Sequence, residues 1–350
     1  MRNPRILSVA TAVPRHRIRQ DEAKDFARGM FSETHRDFER LLPIFDNVHV
    51  EGRNFCVPRE WFEEPHSLPE RNALYIENAL ELSEKAARRA LDRSGTSPEE
   101  VGAIFFVSTT GFATPSLDSK LLFKLGLSEH VRRVPVWGLG CSGGAAGLSM
   151  AADYARLHPE KAALLVAVEL SGLTFQYGDL SKANLVSTSL FADGAASVVV
   201  GCSADEGPEV IGSHSTTWPH TEDVMGWEIV ETGLKVQLSK SVPAIVYEKL
   251  REDLEAACSS LGVDFGALRH FVLHPGGAKV LDAFEDVLEL ERGELAFSRG
   301  VLRDCGNMSS VTVLFILERF LESGEYAAGD FGVLSAMGPG FSAEHVLFRC

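Results

Sequence analysis

The sequence predicts a layered α/β fold built from two duplicated halves. Three observations support this: strand and helix patterns alternate along the chain, the same series of elements occurs twice, and the helix at 143–157 is rich in Ala, Gly and Ser. Alternating strands and helices form right-handed units with parallel strands and helices packed on them. Because small side chains suit the space between two sheets, we expect βαβαβ-type halves in an α-β-α-β-α arrangement with buried central helices.

The first half begins with an extended segment at 5–14. An amphipathic helix follows at 79–94, and Gly95 closes it as a C-cap. A β-rich strand at 100–107 then opens into a polar loop that contains Thr110. The remaining elements are a helix at 118–126, an extended segment, a Gly-Cys-Ser turn at 140–142, a helix at 143–157 and a strand at 161–168.

The second half repeats this series from an opening segment at 209–219. A helix at 246–261 is closed by Gly262, and a strand at 266–273 opens into a loop that contains His274. The remaining elements are a helix at 278–290, an extended segment, a Gly-Asn-Met turn at 306–308, a helix at 308–322 and a strand at 330–335. We therefore divide the chain into residues 1–203 and 204–350. Residues 15–75 have no counterpart and are predicted to be an insertion with its own helices.

Composition narrows the class of protein. The chain has 350 residues and a net charge of −15, which argues against a nucleic-acid or membrane-surface binder. No apolar run of about 18 residues and no signal-peptide pattern are present, so we expect a cytoplasmic protein without membrane insertion. The six cysteines form no CxxC pair, which fits a reducing compartment better than a disulfide framework or a metal site.

Cys141 is the candidate nucleophile. It lies between an extended run and a helical pattern, with glycines on both sides that leave room for a substrate carbonyl. At the first turn of a helix, unpaired backbone N–H groups and the positive end of the helix dipole favour a thiolate over a thiol. Considered alone, the same cysteine is also compatible with a small packed residue.

Two later residues complete the candidate site. His274 occupies the loop equivalent to that of Thr110, and Asn307 occupies the helix start equivalent to that of Cys141. If the halves pack about a pseudo-twofold axis, the thiol, the imidazole and the carboxamide meet in one place. Individually, the histidine also fits a loop residue and the asparagine a helix N-cap. Together, at duplicated positions, they favour catalysis.

These motifs resemble a known family. Gly140-Cys141, Leu273-His-Pro-Gly-Gly277, Gly306-Asn-Met-Ser-Ser310 and Met337-Gly-Pro-Gly340 are similar to the type III polyketide synthases, the chalcone-synthase-like branch of the thiolase fold. The resemblance covers essentially the whole chain and favours a bacterial-type member of the alkylpyrone or alkylresorcinol kind. It implies a homodimer, a tunnel for the pantetheine arm of coenzyme A, acyl-CoA and malonyl-CoA as substrates, and no further cofactor.

The resemblance also implies roles for particular residues. Cys141, His274 and Asn307 match the catalytic set, and Phe191 matches an aromatic gatekeeper. The family's second gatekeeping phenylalanine falls on Val236, which argues against a plant-type aromatic starter. Other substrate-binding positions fall on Trp227, Thr110, Thr114, Ser171, Thr174, Ser309 and Pro339, with Thr114 placed where a residue reaches across the dimer.

Four residues are candidates for binding coenzyme A. Arg53 matches a family arginine at the tunnel mouth, and Lys279 follows the His-Pro-Gly-Gly motif closely enough to contribute a second cation. The alternative for both cations is a solvated surface charge. The backbone amides of Gly276 and Gly277 are suited to a close approach of pantetheine.

The predicted activity is iterative decarboxylative condensation of malonyl-CoA onto an acyl-CoA starter. Cys141 would carry the acyl group, and His274 and Asn307 would donate hydrogen bonds to the enolate oxygen formed by decarboxylation. Cyclisation would then give a pyrone, resorcinol or phloroglucinol. Two alternatives stay open at this point: a ketoacyl synthase III-like single condensation, and a non-catalytic thiolase-fold scaffold subunit.

Overall fold

The computed structural model describes residues 3–31, 38–202, 207–291 and 293–350. The predicted junction between residues 203 and 204 lies outside these ranges, as does part of the predicted insertion, at 32–37. Within the described ranges, no helix combines the length and the apolar character that crossing a membrane requires.

The first half confirms the predicted helix at 143–157 at both ends. Its strands are β1 (Arg5–Ala12), β2 (His16–Arg19), β3 (Gly52–Phe55), β4 (Val101–Val107), β5 (Arg132–Val136), β6 (Ala162–Leu170) and β7 (Asp193–Gly201). Its helices are α1 (Gln20–Phe31), α2 (Pro43–Asn47), α3 (Leu68–Ser94), α4 (Asp118–Lys124), α5 (Gly143–Leu157) and α6 (Lys182–Leu190). Helix α3 starts earlier than predicted because Ser67 and Glu70 form a capping box, and it ends at Gly95 with φ 64°.

The second half repeats most of this series. Its strands are β8 (Glu209–Thr217), β9 (Met225–Val230), β10 (Gly233–Leu238), β11 (Leu268–Leu273), β12 (Phe331–Gly338) and β13 (Ser342–Arg349). Its helices are α7 (Val242–Ser260), α8 (Ala278–Leu288), α9 (Ala296–Cys305) and α10 (Thr312–Ser323). The extended segment predicted before the turn at Gly306 was wrong, because Ser298, Val301 and Leu302 form the buried face of helix α9. Short 3₁₀ turns precede the two central helices, at Gly140–Ser142 before α5 and at Ser309–Val311 before α10.

The sheet shows the duplication directly. Its strand order is β11-β12-β13-β8-β1-β7-β6-β4-β5, with β1 next to β8 where the halves meet. Strand β4 runs parallel to β6, and β11 runs parallel to β12, whereas β7 and β13 are antiparallel to their neighbours. The prediction that each half closes with β6 or β12 was therefore wrong, because one more antiparallel strand follows in each half.

The central helices lie between the two sets of strands. Helices α5 and α10 contact strands of both halves, whereas α3 covers β1, β6 and β7 and α7 covers β8 and β13. One apolar cluster surrounds the central helices, and two others lie beneath the outer layers. A Cβ at Gly144 would lie 2.1 Å from the carbonyl oxygen of Ser310, so the starts of the two central helices approach closely. The predicted α-β-α-β-α arrangement is confirmed.

Candidate active site

A cavity of about 610 Å³ contains the three predicted catalytic residues. Cys141, His274 and Asn307 all line it, although they come from three distant parts of the sequence. The predicted residues that also line it are Phe191, Trp227, Val236, Gly276, Gly277, Lys279, Ser309 and Pro339. Among the described residues that line the cavity, none is an aspartate or a glutamate. The thiol, the imidazole and the carboxamide therefore share a mostly apolar space, with no carboxylate among the lining residues that the structure describes.

The turn before α5 presents the thiol of Cys141. Gly140 has φ 49°, which favours glycine, and a Cβ there would lie 2.6 Å from the Pro339 side chain. The Gly140 N–H donates to the Thr109 hydroxyl at 3.2 Å. The turn is thus held between the loop after β4 and the turn after β12, and its cysteine is 6% exposed.

His274 directly follows β11, and the Ser335 carbonyl oxygen accepts a hydrogen bond from its backbone N–H at 2.9 Å. The residue is 4% exposed, and neither ring nitrogen has a hydrogen-bond partner within the described part of the chain. Buried polar atoms normally find partners. Both imidazole nitrogens are therefore available to a bound ligand.

Asn307 is oriented by the turn that begins α10. Its side-chain oxygen accepts a hydrogen bond from the Ser309 N–H at 2.7 Å, which leaves the Nδ2 donors for a ligand. Ser309 has φ 53°, an uncommon conformation for a non-glycine residue, and its hydroxyl hydrogen-bonds the Cys141 thiol. Ser309 thus connects the nucleophile to the carboxamide.

Glu169 lies behind the site and was not identified from the sequence. It is the second-to-last residue of the buried strand β6, and its carboxylate accepts hydrogen bonds from the Thr109 N–H at 2.9 Å and the Ser310 hydroxyl at 2.7 Å. Burial raises the pKa of this carboxyl to about 7. The sequence signal that could have identified Glu169 is a charged residue inside an otherwise apolar strand.

The structure corrects the expected thiolate. Burial, with a further contribution from Glu169, raises the pKa of the Cys141 thiol to about 11, although the Ser309 hydrogen bond opposes the shift. Burial lowers the pKa of His274 to about 3. At neutral pH both groups are therefore uncharged. Desolvation of the buried thiol outweighs the effect of the helix dipole.

Four predicted substrate-binding residues do not line this cavity. Ser171 and Thr174 line a separate cavity of about 60 Å³, which shares Phe191 and Val236 with the main one. Thr110 lines a space of about 10 Å³, and its hydroxyl accepts a hydrogen bond from the Leu170 N–H at 2.8 Å. Thr114 lies exposed on the loop after β4.

The position of Arg53 corrects the predicted one. The residue is 2% exposed and lines the 60 Å³ cavity, so it does not lie at the mouth of a tunnel. Its Nη1 donates to the Phe191 carbonyl oxygen at 2.9 Å. The sequence motif identifies Arg53, but it does not show that the side chain points from β3 into the protein interior.

Cations at the rim of the main cavity were only partly predicted. Lys279 is exposed there, as expected, and Arg40, Lys182 and Lys240 join it. Arg40, Lys182 and Lys240 come from the insertion, the start of α6 and the segment after β10, so only the folded chain brings them together. No group of three or more His, Cys, Asp or Glu among the described residues is arranged to hold a metal ion.

Comparisons with known proteins agree with this architecture. Residues 3–204 match the family model of the chalcone and stilbene synthase N-terminal domain, and residues 209–350 match that of the C-terminal domain. A 1,3,6,8-tetrahydroxynaphthalene synthase from Streptomyces peucetius subsp. caesius is 38% identical over 353 residues, covering 99% of this chain and 93% of that protein. A 3,5-dihydroxyphenylacetyl-CoA synthase from Streptomyces toyocaensis is 31% identical over 358 residues, covering 99% and 90%.

A solved structure shows the same fold. The crystal structure of 1,3,6,8-tetrahydroxynaphthalene synthase from Streptomyces coelicolor A3(2), described as a bacterial type III polyketide synthase, gives a TM-score of 0.95. The two chains are 31% identical, and the match covers 99% of each.

Proposed function

This chain belongs to the chalcone and stilbene synthase family, the type III polyketide synthases, and we propose that it condenses coenzyme A thioesters through Cys141, His274 and Asn307. Family membership favours the polyketide synthase hypothesis over the single-condensation and scaffold alternatives. The observation that carries the proposal is that a thiol, an imidazole and a carboxamide line one cavity whose described wall has no carboxylate.

Loading begins with both reacting groups uncharged. Burial opposes a charge on Cys141 or His274 alone, but moving the proton from the thiol to the imidazole leaves the net charge of the cavity unchanged. The thiolate then attacks the carbonyl carbon of the acyl-CoA starter. The carbon–sulfur bond to coenzyme A breaks, and the leaving thiolate takes the proton from His274.

Decarboxylation follows when malonyl-CoA enters. The bond to the carboxylate breaks, carbon dioxide leaves, and the electron pair forms an enolate whose oxygen accepts hydrogen bonds from His274 and from Asn307 Nδ2. An acidic residue in the wall would repel the malonyl carboxylate, and none lines the described cavity. The enolate carbon then attacks the acyl carbon on Cys141 and releases the thiolate for another cycle.

The cavity lining supports an aliphatic starter. Phe191, Trp227 and Val236 provide apolar surface, and Val236 lies opposite Trp227 in the β9–β10 pair. We therefore infer an aliphatic acyl-CoA starter and a pyrone, resorcinol or phloroglucinol product. Lys182, Lys240 and Lys279 at the rim supply positive charge for the phosphates of coenzyme A.

We also infer a homodimer. Among the described residues, β5 is the last strand of the sheet and pairs only with β4, so its other edge is available to a second copy. Trp137 directly follows β5, is 52% exposed and lies against Phe112, with ring centroids 5.8 Å apart. An apolar surface beside an open strand edge favours association.

Mass spectrometry of the intact protein after exposure to acyl-CoA tests the nucleophile. The wild-type protein should gain one acyl group, and Cys141→Ala should gain none and lose product formation by at least about a thousandfold. Cys258→Ala is the matched control, because Cys258 is also buried but packs within the cluster around α7. An acyl adduct that persists on Cys141→Ala would refute the assignment.

A further inference from the structure

Arg53 is a buried cation directly behind the catalytic cavity. Its Nη1 donates to the carbonyl oxygen of Phe191 at 2.9 Å, and its guanidinium carbon lies 5.4 Å from the centre of the Phe55 ring. Burial lowers the pKa of Arg53 to about 9, and the nearby Asp193 carboxylate opposes the shift. The side chain therefore stays positively charged at neutral pH while it is 2% exposed.

The carbonyl that Arg53 binds belongs to the segment that holds Asn307. The Asn307 N–H donates to the Leu190 carbonyl oxygen at 2.9 Å, and the Ala192 N–H donates to the Asn307 carbonyl oxygen at 2.9 Å. Phe191 lies between these two bonds and forms an isolated bridge with Asn307. Any shift of the Phe191 carbonyl is therefore transmitted to the backbone of the catalytic asparagine.

The stem of Arg53 also fixes the residue before Asn307. A Cβ at Gly306 would lie 2.7 Å from Arg53 Cγ and 2.8 Å from the Leu190 carbonyl oxygen. Gly306 has φ 73°, so a glycine is favoured there for both reasons. Arg53 thus contacts both chain segments, the one before Asn307 and the one paired with it.

Asp193 ties the same segment to the strand that bears Arg53. Its carboxylate accepts hydrogen bonds from the Cys56 N–H at 2.9 Å, just after β3, and from the Gly172 N–H at 2.7 Å. Opposite charges on Arg53 and Asp193 reduce the cost of burying either one. Strand β3 and the segment around Phe191 are therefore held together from two sides.

We propose that Arg53 is a positioning residue that holds Asn307 and Phe191 in place for decarboxylation, and that it is not a ligand of coenzyme A phosphates. The proposal rests on the proposed function. A displacement of about 1 Å in a catalytic group costs up to about a hundredfold in rate. Cys141 and His274 come from segments that none of these Arg53 contacts involves, so loading and decarboxylation should respond differently.

The test measures three quantities for Arg53→Met and Arg53→Lys. These are the rate of Cys141 acylation by mass spectrometry, the rate of malonyl-CoA decarboxylation, and the KM for the coenzyme A ester. In Arg53→Met we expect decarboxylation to fall about 10- to 100-fold and acylation to change by less than about threefold. Arg53→Lys, which keeps the cation, should recover part of the decarboxylation rate.

Arg71→Met is the matched control. Arg71 is 4% exposed, and its guanidinium donates to the backbone carbonyl oxygens of His66 and Leu173, at 3.0 and 2.8 Å. Its loss should lower the melting temperature without changing the ratio of decarboxylation to acylation. This comparison separates positioning of Asn307 from a general loss of stability.

Two results would overturn the proposal. An unchanged ratio of decarboxylation to acylation in a folded Arg53 variant would show that Asn307 does not depend on Arg53. A raised KM for the coenzyme A ester with unchanged kcat would indicate a phosphate ligand. If Arg53→Met does not fold, the ratio of decarboxylation to acylation is measured in Arg53→Lys and is interpreted in the same way. Failure of the wild-type protein to decarboxylate malonyl-CoA would instead refute the proposed function.

Discussion

The loops that hold Thr110 and His274 occupy equivalent places in the two halves, yet they use their polar atoms differently. The Thr110 hydroxyl accepts from the Leu170 N–H at 2.8 Å and also hydrogen-bonds Glu169. The ring nitrogens of His274 have no partner in the described ranges. The same architectural position is structural in one half and available for chemistry in the other. The two residues therefore differ in whether their buried polar atoms already have hydrogen-bond partners: the Thr110 hydroxyl does, and the His274 ring nitrogens have none among the described residues.

The helix starts show a related difference. The turn of the first half presents the thiol of Cys141, and that of the second half presents the carboxamide of Asn307. Each follows a glycine with positive φ, 49° at Gly140 and 73° at Gly306. Under the proposed function, one scaffold supplies a nucleophile from the first half and a hydrogen-bond donor from the second.

Of the substitutions that compare the two halves, Asn307→Ala gives the largest expected change, and it tests the second half. Loss of the Nδ2 donors should lower malonyl-CoA decarboxylation about 100- to 1,000-fold, because the enolate oxygen loses one of two hydrogen bonds. Acylation of Cys141 should fall by less than about tenfold. Asn307→Asp, with nearly the same shape but no donor when ionised, should be equally defective. A greater loss of acylation than of decarboxylation would contradict the role of Asn307.

Glu169→Gln tests the carboxyl group that joins the two halves. Its folded pKa of about 7 lies above its ordinary 4.5, so the native state retains a proton that the unfolded chain releases between these values. The contribution of Glu169 to stability is therefore present below pH 4.5 and is lost as the pH rises to about 7. This loss is on the order of 3 kcal/mol.

Urea unfolding between pH 4.5 and 8 measures this effect. The free energy of unfolding of the wild-type protein, relative to that of Glu169→Gln, should decrease as the pH rises. The shift of His274 has the opposite sign but is common to both proteins, so it cancels in the difference. Parallel stability curves for the two proteins would show that Glu169 titrates normally.

Thr110→Val gives the smallest expected change and tests the first half. The substitution keeps the side-chain shape but leaves the Leu170 N–H without its acceptor, which should cost about 1–3 kcal/mol in the free energy of unfolding. Malonyl-CoA decarboxylation should change only a few-fold. Thr188→Val is the control, since its hydroxyl donates to the Asn184 carbonyl oxygen within α6. A large loss of decarboxylation with Thr110→Val would show that Thr110 takes part in the reaction, and the proposed difference between Thr110 and His274 would then be wrong.

Features set by local patterns were predictable from the sequence. Gly95 closes α3, α5 spans the predicted residues, and the halves match in order because periodicity, caps and glycine turns are local. Strand β7 was missed because its Asp-Gly-Ala-Ala-Ser opening carries little β-propensity. It forms a strand because it is buried between β1 and β6.

The duplication predicted that Cys141, His274 and Asn307 meet, because they or their counterparts occupy equivalent positions in the two halves. The family motifs predicted further lining residues, such as Phe191 and Val236. The inward side chain of Arg53 and the protonated thiol could not be inferred, because burial depends on residues far apart in the sequence. Glu169 was visible as a charge in an apolar strand, but its partners Thr109 and Ser310 come from different halves.

The close approach of Gly144 to Ser310 limits how such enzymes can be recombined. A methyl group at position 144 would collide with a main-chain oxygen, which cannot move aside as a flexible side chain would. Chimeras that join one half of this chain to the other half of a relative must therefore keep a glycine at position 144 wherever the backbone at position 310 follows the same path. Libraries for altered product profiles should keep Gly144 constant and vary the residues that face the substrate.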